Sequence, residues 1–219
     1  MDTYKTEKGI FDINKDTTQT ILSYPDKVKG HIRIKFYENN TTTFINAHKN
    51  AISFISLNFN GNLLASASEI GTLIRIFNTE NGNLLQEIRR GFDKAIIFDI
   101  IFSNDNLLLS VSSNKNTIHI YSIQHSFNEI NEDNSSKKIP SNNLSIFNGL
   151  ANFLFQVYFN SEWSFIKINV GFENCVLGFV NDNCLVAINP QGKYFRINLD
   201  LTKKGEYKVV EKKQILNIE

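Results

Sequence analysis

Short apolar or alternating runs recur along this chain, separated by asparagine-rich turns. They predict β-strands near 20–24, 31–37 and 41–45, then near 52–59, 63–68, 73–78 and 84–89. Three more fall between 95 and 123, one at 163–170, and four near 176–180, 185–189, 193–199 and 206–212. Asn60-Gly61 and Asn81-Gly82 are hairpin signals. Alternation puts Arg75 on one face with Leu73 and Phe77, a cation among apolar neighbours that calls for an anionic partner. The strands group into four units, about 9–47, 48–91, 92–170 and 171–215, within one domain spanning 1–219. The third unit carries an insertion, 124–160. Its first half, 124–143, is rich in Asn, Ser, Glu and Lys and is predicted to be disordered. In 144–159 the polar residues Asn148, Asn152 and Gln156 form a narrow stripe at helical spacing. Two readings stand for that segment: a helix packed on the domain, or an interfacial membrane helix.

One stretch is present twice. Ala65-Ser66-Ala67-Ser68 leads through Gly71-Thr72 to Arg75, and Leu109-Ser110-Val111-Ser112-Ser113 leads through Thr117 to His119. Leu63 recurs as Leu107 and Arg75 as His119, a spacing of 44 residues, which fits one four-stranded propeller blade. Between the two copies stands Arg89-Arg90-Gly91. Consecutive strand residues point to opposite sides, so the two guanidinium forks can serve two anionic pockets. Gly91 is expected to allow a tight turn beside them.

Composition narrows the function. With 219 residues, 42% of them hydrophobic, the chain is long enough to bury a core. A net charge of +1 gives no broad attraction to membranes or nucleic acid, so any anion must be bound locally. Cys175 and Cys184 are too few for a disulfide framework or a zinc site and read as reduced core residues. No nucleophile–base pair, metal cluster or phosphate loop is legible, which argues against an enzyme or a cofactor. The first twenty residues are polar, with no signal-peptide pattern, and a cytoplasmic protein is expected.

Several spaced motifs together resemble the PROPPIN family of WIPI-type phosphoinositide-binding β-propellers. The family's Phe/Leu-Arg-Arg-Gly appears as Ile88-Arg89-Arg90-Gly91. Ala47-His48-Lys49, the run from Ser66 to Arg75, the run from Ser112 to His119, Ser161-Glu162-Trp163-Ser164 and Pro190-Gln191-Gly192-Lys193-Tyr194 also match, in order. Asn116 departs from a position where the family often has glycine. The resemblance covers about 21–213 and implies an all-β, WD40-like propeller with about four of seven blades, an incomplete ring. Either the chain is a fragment, or another chain supplies the missing blades. Each end would then carry an uncovered blade face.

The resemblance implies two lipid sites. His48, Ser66, Ser68, Gly71, Thr72, Arg75 and Arg89 are expected to line the first; Arg90, Gly91, Ser112, Ser113, Thr117 and His119 the second. His48 also reads as a within-blade structural histidine, and His119 as a satisfied core histidine. If the two contact phosphate, binding is expected to strengthen as pH falls from about 7.5 to about 6. Phe153, Leu154 and Phe155, in the insertion that the family uses as a membrane loop, are expected to insert. The implied function is binding phosphatidylinositol 3-phosphate, with the 3,5-bisphosphate as second candidate, peripherally on autophagosomal or endosomal membranes. Autophagy proteins are the implied partners, although the family's partner-binding blades have no counterpart here. The alternative is a protein-interaction scaffold without lipid binding, its arginines paired with acidic neighbours.

Overall fold

The computed structural model describes residues 9–123, 164–171, 174–203 and 205–215. Among these residues sixteen strands form four antiparallel sheets, each of four strands in sequence order. The first sheet comprises β1 (Asp12–Ile13), β2 (Ile21–Pro25), β3 (His31–Phe36) and β4 (Thr41–Asn46). The second comprises β5 (Ile52–Leu57), β6 (Leu63–Ser68), β7 (Leu73–Asn78) and β8 (Leu84–Arg89). In the third, β9 (Ile97–Phe102), β10 (Leu108–Ser113) and β11 (Thr117–Ser122) are followed by β12 (Ile166–Asn169). The fourth comprises β13 (Val176–Asn181), β14 (Cys184–Ile188), β15 (Lys193–Leu199) and β16 (Tyr207–Gln214). The first strands of successive sheets lie against one another, β1 by β5, β5 by β9 and β9 by β13. This is the arrangement of blades around an axis, and the fold is an incomplete β-propeller.

Three apolar interfaces hold the blades together. Leu64 and Phe77 pack with Ile32, Ile34 and Ile45 between the first and second sheets. Ala65, Ala67, Ile74, Ile76 and Ile88 meet Ile100, Leu109, Val111 and Tyr121 between the second and third. Ile118, Ile120, Ile166 and Ile168 meet Leu177, Leu185, Ala187 and Ile197 between the third and fourth. All six residues of β6 are buried, because both its faces are covered and its alternating small side chains let both neighbours approach. Each fully buried isoleucine or leucine contributes about 1.5–3 kcal/mol of transfer free energy. Beyond these interfaces Phe44 on the first sheet and Val176, Val180 and Val210 on the fourth remain exposed.

Two carboxylates, Asp12 partly buried and Asp99 buried, fasten neighbouring blades near the axis. Asp12 accepts a 2.7 Å hydrogen bond from the Leu57 N–H, and Asp99 one of the same length from the Leu177 N–H. Burial raises the Asp99 carboxyl to about 6. Two residues are too few to show alternation, which is why β1 escapes a reading from sequence. Cys175 and Cys184 are free and buried, as their number suggested.

Candidate functional site: two clefts flanking one strand

Alternation along β8 assigns the cleft residues. Ser66, Arg75 and Glu87 are paired in register across β6, β7 and β8, so they share one face. Leu64 and Phe77, on that same face, pack on the first sheet, so this row looks into the cleft between sheets one and two. Ser68 and Arg89 follow Ser66 and Glu87 by two positions and join it.

In this first cleft His48 Nε2 lies 3.0 Å from Ser66 Oγ. Arg75 donates to Glu87 Oε2 from Nε at 2.8 Å and from Nη2 at 2.7 Å, and its Nη1 donates to the Ala47 carbonyl. The anion that Arg75 requires is therefore within its own sheet. Arg89 stands with its guanidinium carbon 5.9 Å from the Phe92 ring centre. His48 is buried, and burial first, then Arg75, lowers its pKa to about 4.

The second cleft lies between sheets two and three. Val111, His119 and Lys167 are paired across β10, β11 and β12. Val111 and Tyr121 pack on the second sheet, so His119 and Lys167 face β8 from the other side. Arg90 is buried there. Its N–H continues the ladder to the Thr72 carbonyl at 2.8 Å, Nε donates to the Gly71 carbonyl at 3.1 Å, and Nη2 to the Asp93 carbonyl. Of its five guanidinium N–H groups, three carry no bond among the described residues. His119 Nε2 is 3.2 Å from Thr117 Oγ1, its Nδ1 is 3.1 Å from Ser164 Oγ, and its ring stacks on Tyr121. Burial first, then Arg90 and Lys167, lowers the His119 pKa to about 4. Ser113 Oγ is buried with no hydrogen-bond partner among the described residues.

Four expectations change. Ser112 does not face the second cleft. Its Oγ donates to the Cys175 carbonyl at 2.7 Å, across the interface of sheets three and four. The spacing of 44 holds for Arg75 and His119, but Val111, opposite His119, lies 45 positions after Ser66, opposite Arg75. The turn after β10 is one residue shorter than the turn after β6, and Ser113, not Ser112, takes the place of Ser68. Gly71 serves Arg90 rather than the first cleft. It has φ +65° and no room for a side chain, because a Cβ would stand 2.0 Å from the Ala95 oxygen. Gly91 needs no glycine: its φ is not positive, and a Cβ there would meet nothing within 4 Å. Both histidines are neutral between about pH 6 and 7.5, so the expected gain in binding on acidification has no titrating group behind it.

Asn116 adopts φ +56°, the left-handed conformation that glycine would supply and asparagine tolerates. Thr72 contributes its carbonyl to the Arg90 N–H. Phe153, Leu154 and Phe155, with the whole segment 144–159, lie outside the described residues. Sequence reading gave no site role to Glu87, Lys167 or Ser164, the last noted only within a matching motif. The first two stand directly across the strand from Arg75 and His119, so pairing the strands in register would have found them.

A family model described as PROPPIN matches residues 1–216. SVP1-like protein 2 of Debaryomyces hansenii is 37% identical over 220 residues, covering 90% of this chain and 50% of that protein. Autophagy-related protein 18e of Arabidopsis thaliana is 27% identical, covering 100% of this chain and 56% of that protein. The chain spans about half the length of the curated relatives it matches. Among solved structures, Kluyveromyces lactis Hsv2 with its complete loop 6CD superposes with a TM-score of 0.72 at 25% identity, covering 94% of this chain and 62% of that one. KlAtg21, solved in complex with the coiled coil of AgAtg16, superposes with a TM-score of 0.68 at 21% identity, covering 93% and 57%, a likeness of fold.

Proposed function

Because this chain belongs to the PROPPIN family, we propose that it binds phosphoinositide headgroups through the two clefts flanking β8 and acts as a non-catalytic effector on autophagy-related membranes. The observation that carries this reading is the placement of Arg89 and Arg90 on opposite sides of one strand end, Arg89 on the face that carries Ser66 with its neutral His48 partner, and Arg90 in the cleft that holds neutral His119 and Thr117. A guanidinium fork matches phosphate oxygens, and neutral histidine and hydroxyl groups offer further donors without repelling the arginine. Two weak sites on one rigid body gain by engaging the same membrane together. Phosphatidylinositol 3-phosphate is the primary ligand in this reading and the 3,5-bisphosphate the second. The apolar segment 144–159 enters from its sequence alone, with Phe153, Leu154 and Phe155 as inserting residues. The KlAtg21 complex supports a coiled-coil autophagy protein as a class of partner.

A second reading draws on the internal partners of the cations. Arg75 is satisfied by Glu87, and Arg90 by two carbonyls, as a purely structural scaffold would have them. Liposome sedimentation separates the two. The lipid reading expects sedimentation that depends on phosphatidylinositol 3-phosphate and is abolished by Arg89→Ala with Arg90→Ala. The scaffold reading expects no dependence on the lipid.

A further inference from the structure

The two clefts carry opposite charges at one equivalent position. In the first, the residue across from Arg75 is Glu87; in the second, the residue across from His119 is Lys167. Both sit on the fourth strand of their blade, at matching places in the register. One Glu87 carboxylate oxygen, Oε2, takes both the Nε and Nη2 donors of Arg75 at under 3 Å, donors that a phosphate would otherwise engage. In the second cleft no carboxylate among the described residues pairs with Lys167 or Arg90. Asp93, at the rim, contributes its carbonyl to Arg90; burial lowers the Arg90 pKa, and the charges of Tyr121 and Asp93 work against that shift. Lys167 is exposed, while its charge reaches the buried His119 ring.

We infer that the two clefts are not interchangeable. The second, with Lys167 at the position where the first has Glu87, selects the headgroup carrying the additional phosphate, and Lys167 is its specificity residue. In the first, Glu87 acts as an internal competitor that any phosphate must displace from Arg75. The inference rests on the lipid reading and adds to it which cleft prefers which charge. The Arg75–Glu87 pair is partly exposed and screened, so its competition is modest, and so is the contribution of an exposed lysine.

The test uses isothermal titration with soluble dibutanoyl phosphatidylinositol 3-phosphate and 3,5-bisphosphate. In a Lys167→Glu background, which weakens the second cleft from the surface without touching the core, Glu87→Gln is expected to tighten monophosphate binding about three- to tenfold. In an Arg89→Ala background, Lys167→Gln is expected to weaken bisphosphate binding about three- to tenfold and monophosphate binding less than twofold. Inositol phosphates without acyl chains, run in parallel, separate headgroup recognition from lipid contact. An unchanged affinity with Glu87→Gln, or an equal loss of both ligands with Lys167→Gln, overturns the inference. The Arg89→Ala, Arg90→Ala double variant reads the lipid proposal separately: if it still binds both headgroups, that proposal fails whatever the charge variants do.

Discussion

The cleft between the first and second sheets and the cleft between the second and third share a strand pattern and differ in what holds the arginine. Arg89 lies half-exposed at the strand end beside Phe92, while Arg90 is buried and clamped by carbonyls of the turn before β7 and the loop after β8. Arg75 in the first cleft is neutralised by Glu87; His119 in the second is uncharged and faces Lys167. Strand alternation decides which cleft a side chain enters. The residue opposite it in register decides what charge it meets. A motif of two arginines therefore locates two sites without making them equal.

The largest expected difference is in stability. Arg90→Ala should cost about 2–4 kcal/mol, because it removes charge-assisted bonds and leaves the Gly71 and Asp93 carbonyls without that partner. Arg89→Ala, at a half-exposed position, should cost about 1 kcal/mol or less. Urea denaturation measures both, and equal losses would break the comparison.

Next in size is a pH effect that the clefts share. His48 and His119 titrate near 6.5 when unfolded and about 4 when folded. Below about pH 6.5 the unfolded chain binds more protons, so stability falls on acidification, approaching roughly 1.4 kcal/mol per histidine per pH unit. Asp99 works in the opposite direction. Its carboxyl is raised from 3.8 to about 6, so the folded chain gains protons below that pH and offsets about one histidine. Stability profiles between pH 7 and pH 5 should therefore slope downward with acid. Exchanging both histidines for glutamine should reverse the slope below about pH 6. A profile that the exchange leaves unchanged would contradict the burial of these rings.

The smallest effect separates two adjacent serines. Ser112→Ala should cost about 1 kcal/mol by removing the bond to the Cys175 carbonyl. Ser113→Ala removes a buried hydroxyl with no partner among the described residues and should be neutral or slightly stabilising. Thermal unfolding of the two variants, each against wild type, sharpens the assignment of faces.

Much of this was legible because strand residues repeat every two positions. The bounds 63–68, 73–78, 84–89 and 193–199 read from sequence coincide with β6, β7, β8 and β15. The opposed faces of Arg89 and Arg90 follow from the same rule. What misled was a loop. Four residues separate β6 from β7 but three separate β10 from β11, and a fixed spacing carried across that difference turns Ser112 to the wrong side. The histidine protonation states depend on burial between blades, which no local pattern displays. Glu87 and Lys167 were readable in principle, but only once strands are paired, because charge at a strand position has meaning through its cross-strand neighbour.

The central claim is that β8 separates two headgroup sites, each owned by one arginine. Isothermal titration of the intact chain with dibutanoyl phosphatidylinositol 3-phosphate tests it most directly. The account predicts two sites in wild type, one in Arg89→Ala, one in Arg90→Ala provided circular dichroism shows it folded, and none in the double variant. If folded Arg89→Ala protein loses both sites, or folded double-variant protein keeps either, the two-cleft account is wrong.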